Sequence, residues 1–152
     1  MTFGKHSDDA ESLVVESAVK TVRIIQIAML VSIAVYVFIG ERMAPGPRSA
    51  SPVFFYVFSS VGMTLVGVIL LVRRTLILQS EATLRTGATD VGTLNRWRSG
   101  YIVTYALSES LALFGLILRF MGFNLVQVAP FYLAGFILML FFGPRQPSVA
   151  LS

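Results

Sequence analysis

Four long apolar stretches separate the charged residues of this 152-residue chain, and no other feature constrains its fold as strongly. They are Ile24–Ile39, interrupted by Gln26 and Ser32; Val53–Val72; Tyr101–Leu118, which contains Glu109; and Leu125–Phe142. With its flanks, each meets or nearly meets the roughly 17–25 residues that a helix needs to cross a bilayer. Backbone amides cannot be left bare in hydrocarbon, and none of the stretches shows the alternation of a barrel strand, so all four are expected to be helices. Composition agrees: 13% of the residues are charged and 55% apolar, against about 25% and about 45–50% in soluble domains. Too few polar residues remain to cover a water-soluble surface.

These spacings predict an all-α fold, a membrane-embedded up-down four-helix bundle. Residues 1–20 form a polar or amphipathic tail, and residues 21–145 the transmembrane domain. Its spans run over about 22–40, 53–73, 100–120 and 125–143, and a short tail follows over 146–152. The first twenty residues carry Asp8, Asp9, Glu11 and Glu16, unlike the short basic start of a secretory signal, so the first stretch is expected to stay in the membrane as an anchor. Residues 10–20 are mildly amphipathic and are expected to extend the first helix. The second is expected to continue to about Arg85, with Gly87, Asp90 and Gly92 marking a break before Trp97. The five residues Phe120–Asn124 leave room only for a tight antiparallel turn.

Orientation follows from the basic residues. With the N-terminus inside, the inner segments hold Lys5, Lys20, Arg23, Arg73, Arg74, Arg85, Arg96, Arg98 and Arg145, and the outer segments Arg42, Arg48 and Arg119. That bias places both termini in the cytoplasm. Trp97, Tyr101, Arg73, Arg74 and Arg119 fall at the expected span ends and read as interfacial anchors, with Arg119 snorkelling to the outer headgroups. The net charge of +4 is accounted for by this marginal placement, and no basic run is interleaved with aromatics as in a nucleic-acid-binding surface.

Chemistry-bearing residues are few. The chain has no cysteine and one histidine, His6 in the N-terminal segment. This excludes disulfides, thiol nucleophiles, cysteine-ligated clusters and a bis-histidine haem within one chain. No zinc-protease, phosphate-loop or triad pattern occurs, so no catalytic residue, metal site or cofactor is expected. Glu109 stands out, roughly 12 Å into the third span at 1.5 Å per residue. An ionised carboxylate at that depth costs several kcal/mol, so Glu109 is expected to be protonated, to face the bundle, or both. Matching depths suggests Ser32, Ser60 and Thr64 as partners, with Tyr105 one turn away on its own helix. This set reads either as hydrogen-bonding glue between helices, as a proton or ligand site, or as an oligomer contact. Gly62 and Gly67, with Ser108, Ala112 and Gly115, offer small surfaces for close helix approach.

Two resemblances follow from particular residues. The segment SESLALFGLIL within Arg96–Phe123 resembles the ion-carrying helix of rotary ATPase proteolipids, where a carboxylate precedes an apolar-Gly-Leu-Ile run. That resemblance implies proton binding at Glu109. Proteolipids end on that helix, whereas a fourth span follows here. The four spans, the Glu-Ser-Leu-Ala-Leu-Phe-Gly pattern, the short hairpin and the closing FFGPRQP look like small bacterial four-helix membrane proteins of uncharacterised function. This second resemblance implies a fold and a bacterial inner-membrane location, but no activity. The expectation is therefore a multi-pass, non-enzymatic accessory or scaffold subunit. Its partners would be the lipid bilayer and other membrane proteins or copies of itself, with no nucleic acid. The alternative is a proton-linked carrier or channel subunit using Glu109.

Overall fold

A computed structural model describes residues 4–46, 51–80 and 91–144, and all of its regular structure is helical. Helix α1 spans Gly4–Met43 and α2 spans Pro52–Val72, followed without interruption by a π-helical segment, Arg73–Leu78. Helix α3 covers Val91–Phe120 and α4 covers Leu125–Phe141. Three stretches are long and apolar enough to cross a membrane: Glu16–Met43, Pro52–Leu78 and Gly92–Phe120. The fourth apolar helix has 17 residues, about 25 Å, which is the short end of the spanning range.

Several boundaries differ from those expected. The N-terminal segment is helical from Gly4, and near its junction with the apolar stretch Ala18, Val19 and Val22 recur at helical spacing and enter the same buried cluster as Trp97. Gly92 does not break the chain; it lies in the first turn of α3, which starts about nine residues earlier than the span limit suggested. Gly100 is likewise helical, and its missing side chain lets the π-helical segment approach, since a Cβ there would lie 2.9 Å from Ile77 Cγ1. Helical backbone persists beyond Val72 through Ser80; the expected end at Arg85 and the break at Gly87 and Asp90 lie outside the described residues.

The turn between α3 and α4 is as short as the sequence requires. Gly122 takes φ of 100°, a left-handed conformation that a residue with a Cβ adopts at a cost. The Phe123 amide then donates to the Leu118 carbonyl and the Gly122 amide to the Arg119 carbonyl, the two bonds of a Schellman termination. Asn124 starts α4 with a capping box: its side chain accepts from the Gln127 amide, and the Gln127 side chain accepts from the Asn124 amide.

Helix α3 is the packing centre, in contact with each of the other three helices. Against α4 it runs antiparallel: Gly115 meets Phe131 and Tyr132, while Ser108 and Ala112 meet Gly135. The approach at Gly135 is the closest, with the position of a Cβ only 2.6 Å from the Ser108 carbonyl oxygen. Helix α2 reaches α3 through Gly62, against Leu111, and Phe58, against the Phe114 ring. Helix α1 runs parallel to α3, with Tyr36 beside Glu109 and Gly40 beside Leu116 and Arg119. Helices α1 and α2 make at most marginal contact with each other. Only Gly62 and Ile69 of α2 are buried, and α1 turns Ile24, Ile27, Val31, Val35 and Phe38 outward.

Candidate functional site

Glu109 sits in the middle of the apolar part of α3 and is half-buried on the seam with α1. Its Oε1 accepts a hydrogen bond of 2.8 Å from the Tyr36 hydroxyl. Ser32, one turn earlier on α1, lies beside the same phenol. A phenol and a carboxylate thus form a short chain across two parallel helices, with the Ser32 hydroxyl alongside. Such a chain can fix the rotation of one helix against the other, and its groups can each hold or pass a proton.

Of the partners expected by depth, Ser32 lies beside this chain and the others do not. Thr64 and Ser60 lie on the exposed face of α2, and the Thr64 hydroxyl is turned onto the Ser60 carbonyl at 3.0 Å. Depth matching carries no information about rotation. Gly62 faces α3, and residues two positions away point about 200° around the helix, so Ser60 and Thr64 face outward. Tyr36 was missed because a tyrosine inside an apolar stretch gives no sign of its hydrogen-bond partner. The available signal was its spacing, one turn after Ser32.

Tyr105 belongs to a second cluster. It is fully buried, and its hydroxyl donates to the Phe142 carbonyl at 3.2 Å. Gln26 of α1 donates to the Met139 carbonyl at 2.8 Å, and the Arg73 guanidinium lies 4.0 Å above the Phe142 ring. The last carbonyls of a helix have no intrahelical donors, and here α1 and α3 supply two of them. The Arg73 cation complements the negative end of the α4 dipole and contacts a π face. Gln26 was legible in the sequence as the first break in an otherwise apolar stretch.

The residues expected as interfacial anchors divide in the same way. Trp97 and Tyr101 are buried rather than displayed, stacked along α3 with Tyr105 at ring separations of 4.8 and 6.0 Å. Their spacing of four residues sets them on one helix face, and all three join the buried cluster that includes Ala18, Val19 and Val22 of α1. Trp97 Nε1 and Arg73 Nη1 are buried without a hydrogen-bond partner among the described residues. Arg74 is exposed. Arg119 does not reach freely outward: its Nε is 2.9 Å from Glu41 Oε1 and its Nη1 donates to the Phe123 carbonyl. The parallel packing of α1 and α3 brings their C-terminal ends together and supplies Glu41 as a counter-ion. Among the small residues, Gly62, Ser108, Ala112 and Gly115 lie in helix contacts, while Gly67 has nothing near it.

Among the described residues no group of three or more His, Asp or Glu side chains is placed to hold a metal ion. An open apolar pocket lies between α2 and α4 over Leu111, lined by Phe55, Met63, Val66, Pro130 and Phe131. No known protein family matches the chain, and no curated protein or solved structure matches it either.

Proposed function

We propose that this chain is a multi-pass membrane protein of the bacterial cytoplasmic membrane, an up-down bundle with both termini in the cytoplasm, and that it acts as a non-catalytic accessory or scaffold subunit. The observation that carries this reading is the distribution of apolar surface. Helices α1 and α2 turn large apolar side chains outward along their length, whereas monomeric soluble proteins rarely expose contiguous apolar patches beyond a few hundred Å². Hydrocarbon and neighbouring helices are the surroundings that such surfaces fit. The bond from Tyr36 to Glu109 suits a structural polar contact between helices. The test is alkaline carbonate extraction followed by purification in mild detergent and mass spectrometry. Retention in the membrane pellet and stoichiometric co-purification of another membrane protein are the expected results. A protein released by carbonate overturns the membrane assignment, and one that purifies alone, as a monomer, overturns the accessory role.

The second reading is a proton-linked carrier or channel subunit. It is favoured by the hydrogen bond between two proton-bearing groups, Tyr36 and Glu109, with Ser32 beside the phenol. Glu109→Gln separates the two: an amide preserves the hydrogen bond from Tyr36 but cannot release and rebind the proton. Proton flux into vesicles containing the purified protein, abolished in Glu109→Gln, would favour the carrier. Equal leak in both proteins leaves the scaffold.

A further inference from the structure

The contacts of α3 account for most of its circumference. Ser108, Ala112 and Gly115 face α4; Leu111 and Phe114 face α2; Glu109 and Leu116 face α1. At 100° per residue the remaining sector holds Val103, Ala106, Ser110, Leu113 and Ile117. Val103, Ala106 and Ile117 are exposed, and Ser110 and Leu113 are half-buried. Because α1 and α2 barely meet, α3 is open to the outside between them over about 21 Å of its length.

Two properties suit this open strip to a partner helix. Ala106 and Ser110, one turn apart at its centre, are small, and the Ser110 hydroxyl is folded back onto the Ala106 carbonyl at 2.9 Å. Another helix backbone can approach closely there. The second property is Glu109, half-buried at the edge of the strip. One carboxylate oxygen is taken by Tyr36, and the other has no hydrogen-bond partner among the described residues. In hydrocarbon an unsatisfied carboxyl group is costly in either protonation state. Ionised, it lacks a donor or a cation; protonated, it lacks an acceptor.

We propose that this open face of α3, between α1 and α2, seats one membrane-spanning helix of a partner protein, which places a basic or carboxamide side chain against Glu109. The proposal rests on the membrane reading above. A second copy of the chain is a poorer occupant. Gln26 is engaged by Met139, Arg119 by Glu41, and the exposed α2 face offers only the hydroxyls of Ser60 and Thr64 near its middle.

Site-specific photocrosslinking in cells tests it. A benzophenone amino acid is placed at Ala106 or Leu113 in the strip and, as controls, at Leu70 and Phe141, which are exposed on α2 and α4. The strip positions are expected to give one discrete protein adduct that the controls lack. Its crosslinked peptide should be a membrane-spanning segment with Lys, Arg, Asn or Gln near its middle. Glu109→Leu should lower the yield between about threefold and about twentyfold, the range expected for one interhelical hydrogen bond in a membrane. Ala106→Phe, which fills the strip and leaves Glu109 in place, should abolish the adduct formed from Leu113. The same adducts at strip and control positions, adducts between two copies of the chain, a partner segment without such a side chain, or yields unaffected by both variants would overturn the proposal. Carbonate extraction of the same membranes separates the two failures. Release overturns the membrane reading together with the proposal, whereas retention without a strip-specific adduct overturns the proposal alone.

Discussion

Gln26 and Gly135 illustrate how single residues set the geometry of this bundle. The Gln26 amide satisfies the Met139 carbonyl from another helix. Gln26→Leu removes that donor from a buried acceptor, a change that costs about 1–3 kcal/mol. Chemical or thermal unfolding in detergent is expected to show the loss, whereas replacing the exposed Ile27 by Leu should leave stability unchanged. At Gly135 the limitation is space, not hydrogen bonding. A methyl group there would lie 2.6 Å from the Ser108 carbonyl oxygen, and backbone atoms cannot swing aside as a side-chain tip can. Gly135→Ala should therefore force α3 and α4 apart and destabilise the protein by about 1–3 kcal/mol. A melting temperature equal to that of the unmodified protein would refute the close contact.

At the level of elements, the α3–α4 hairpin has both its ends and its register defined. Gly122 closes α3, Asn124 opens α4, and the contacts of Gly115 and Gly135 align the two helices. A Cβ at Gly115 would lie 3.2 Å from that of Phe131, a little under the roughly 3.5–4.5 Å found in disulfides. The chain has no native cysteine. Gly115→Cys with Phe131→Cys should consequently form one intramolecular bond on mild oxidation, detected as a mobility shift reversed by reductant. Gly115→Cys paired with Phe141→Cys, almost three turns further along α4, should not. Asn124→Ala removes the bond that the Asn124 side chain accepts from the Gln127 amide and should cost about 1 kcal/mol without changing this register.

For the whole molecule, the packing places the C-terminal ends of α1 and α3 together, joined by Glu41 and Arg119. The end of α4 lies instead against Gln26 and Arg73. That arrangement suits the orientation inferred from basic residues, in which Arg73, Arg74, Arg96 and Arg98 share one side with Lys20 and Arg23. Reporter domains fused after Arg85 and Arg145 should be active as cytoplasmic reporters, and one fused after Arg48 as an external reporter. A cytoplasmic signal at Arg48 would overturn the orientation. Arg73→Glu with Arg74→Glu, which weakens the inner charge bias, should raise the fraction of molecules with inverted topology.

Helix number, helix type and the tight hairpin could be read directly from the chain, because apolar length, missing alternation and turn chemistry are local properties. So could the isolation of Glu109 and the unusual position of Gln26 within their apolar stretches. What each of these side chains touches was decided by tertiary packing. Residue depth follows from counting along a helix, but contact also depends on how that helix is rotated and which neighbour it meets. Rotation turned Ser60 and Thr64 outward and brought Tyr36 to Glu109. It also buried Trp97 and Tyr101 in the packed cluster that includes Ala18, Val19 and Val22 of α1. The early start of α3 has the same origin, since a glycine that weakens a helix in isolation is retained where, as at Gly100, its missing side chain admits another helix. Local sequence sets which segments become helices, and the fit of their surfaces sets which faces meet.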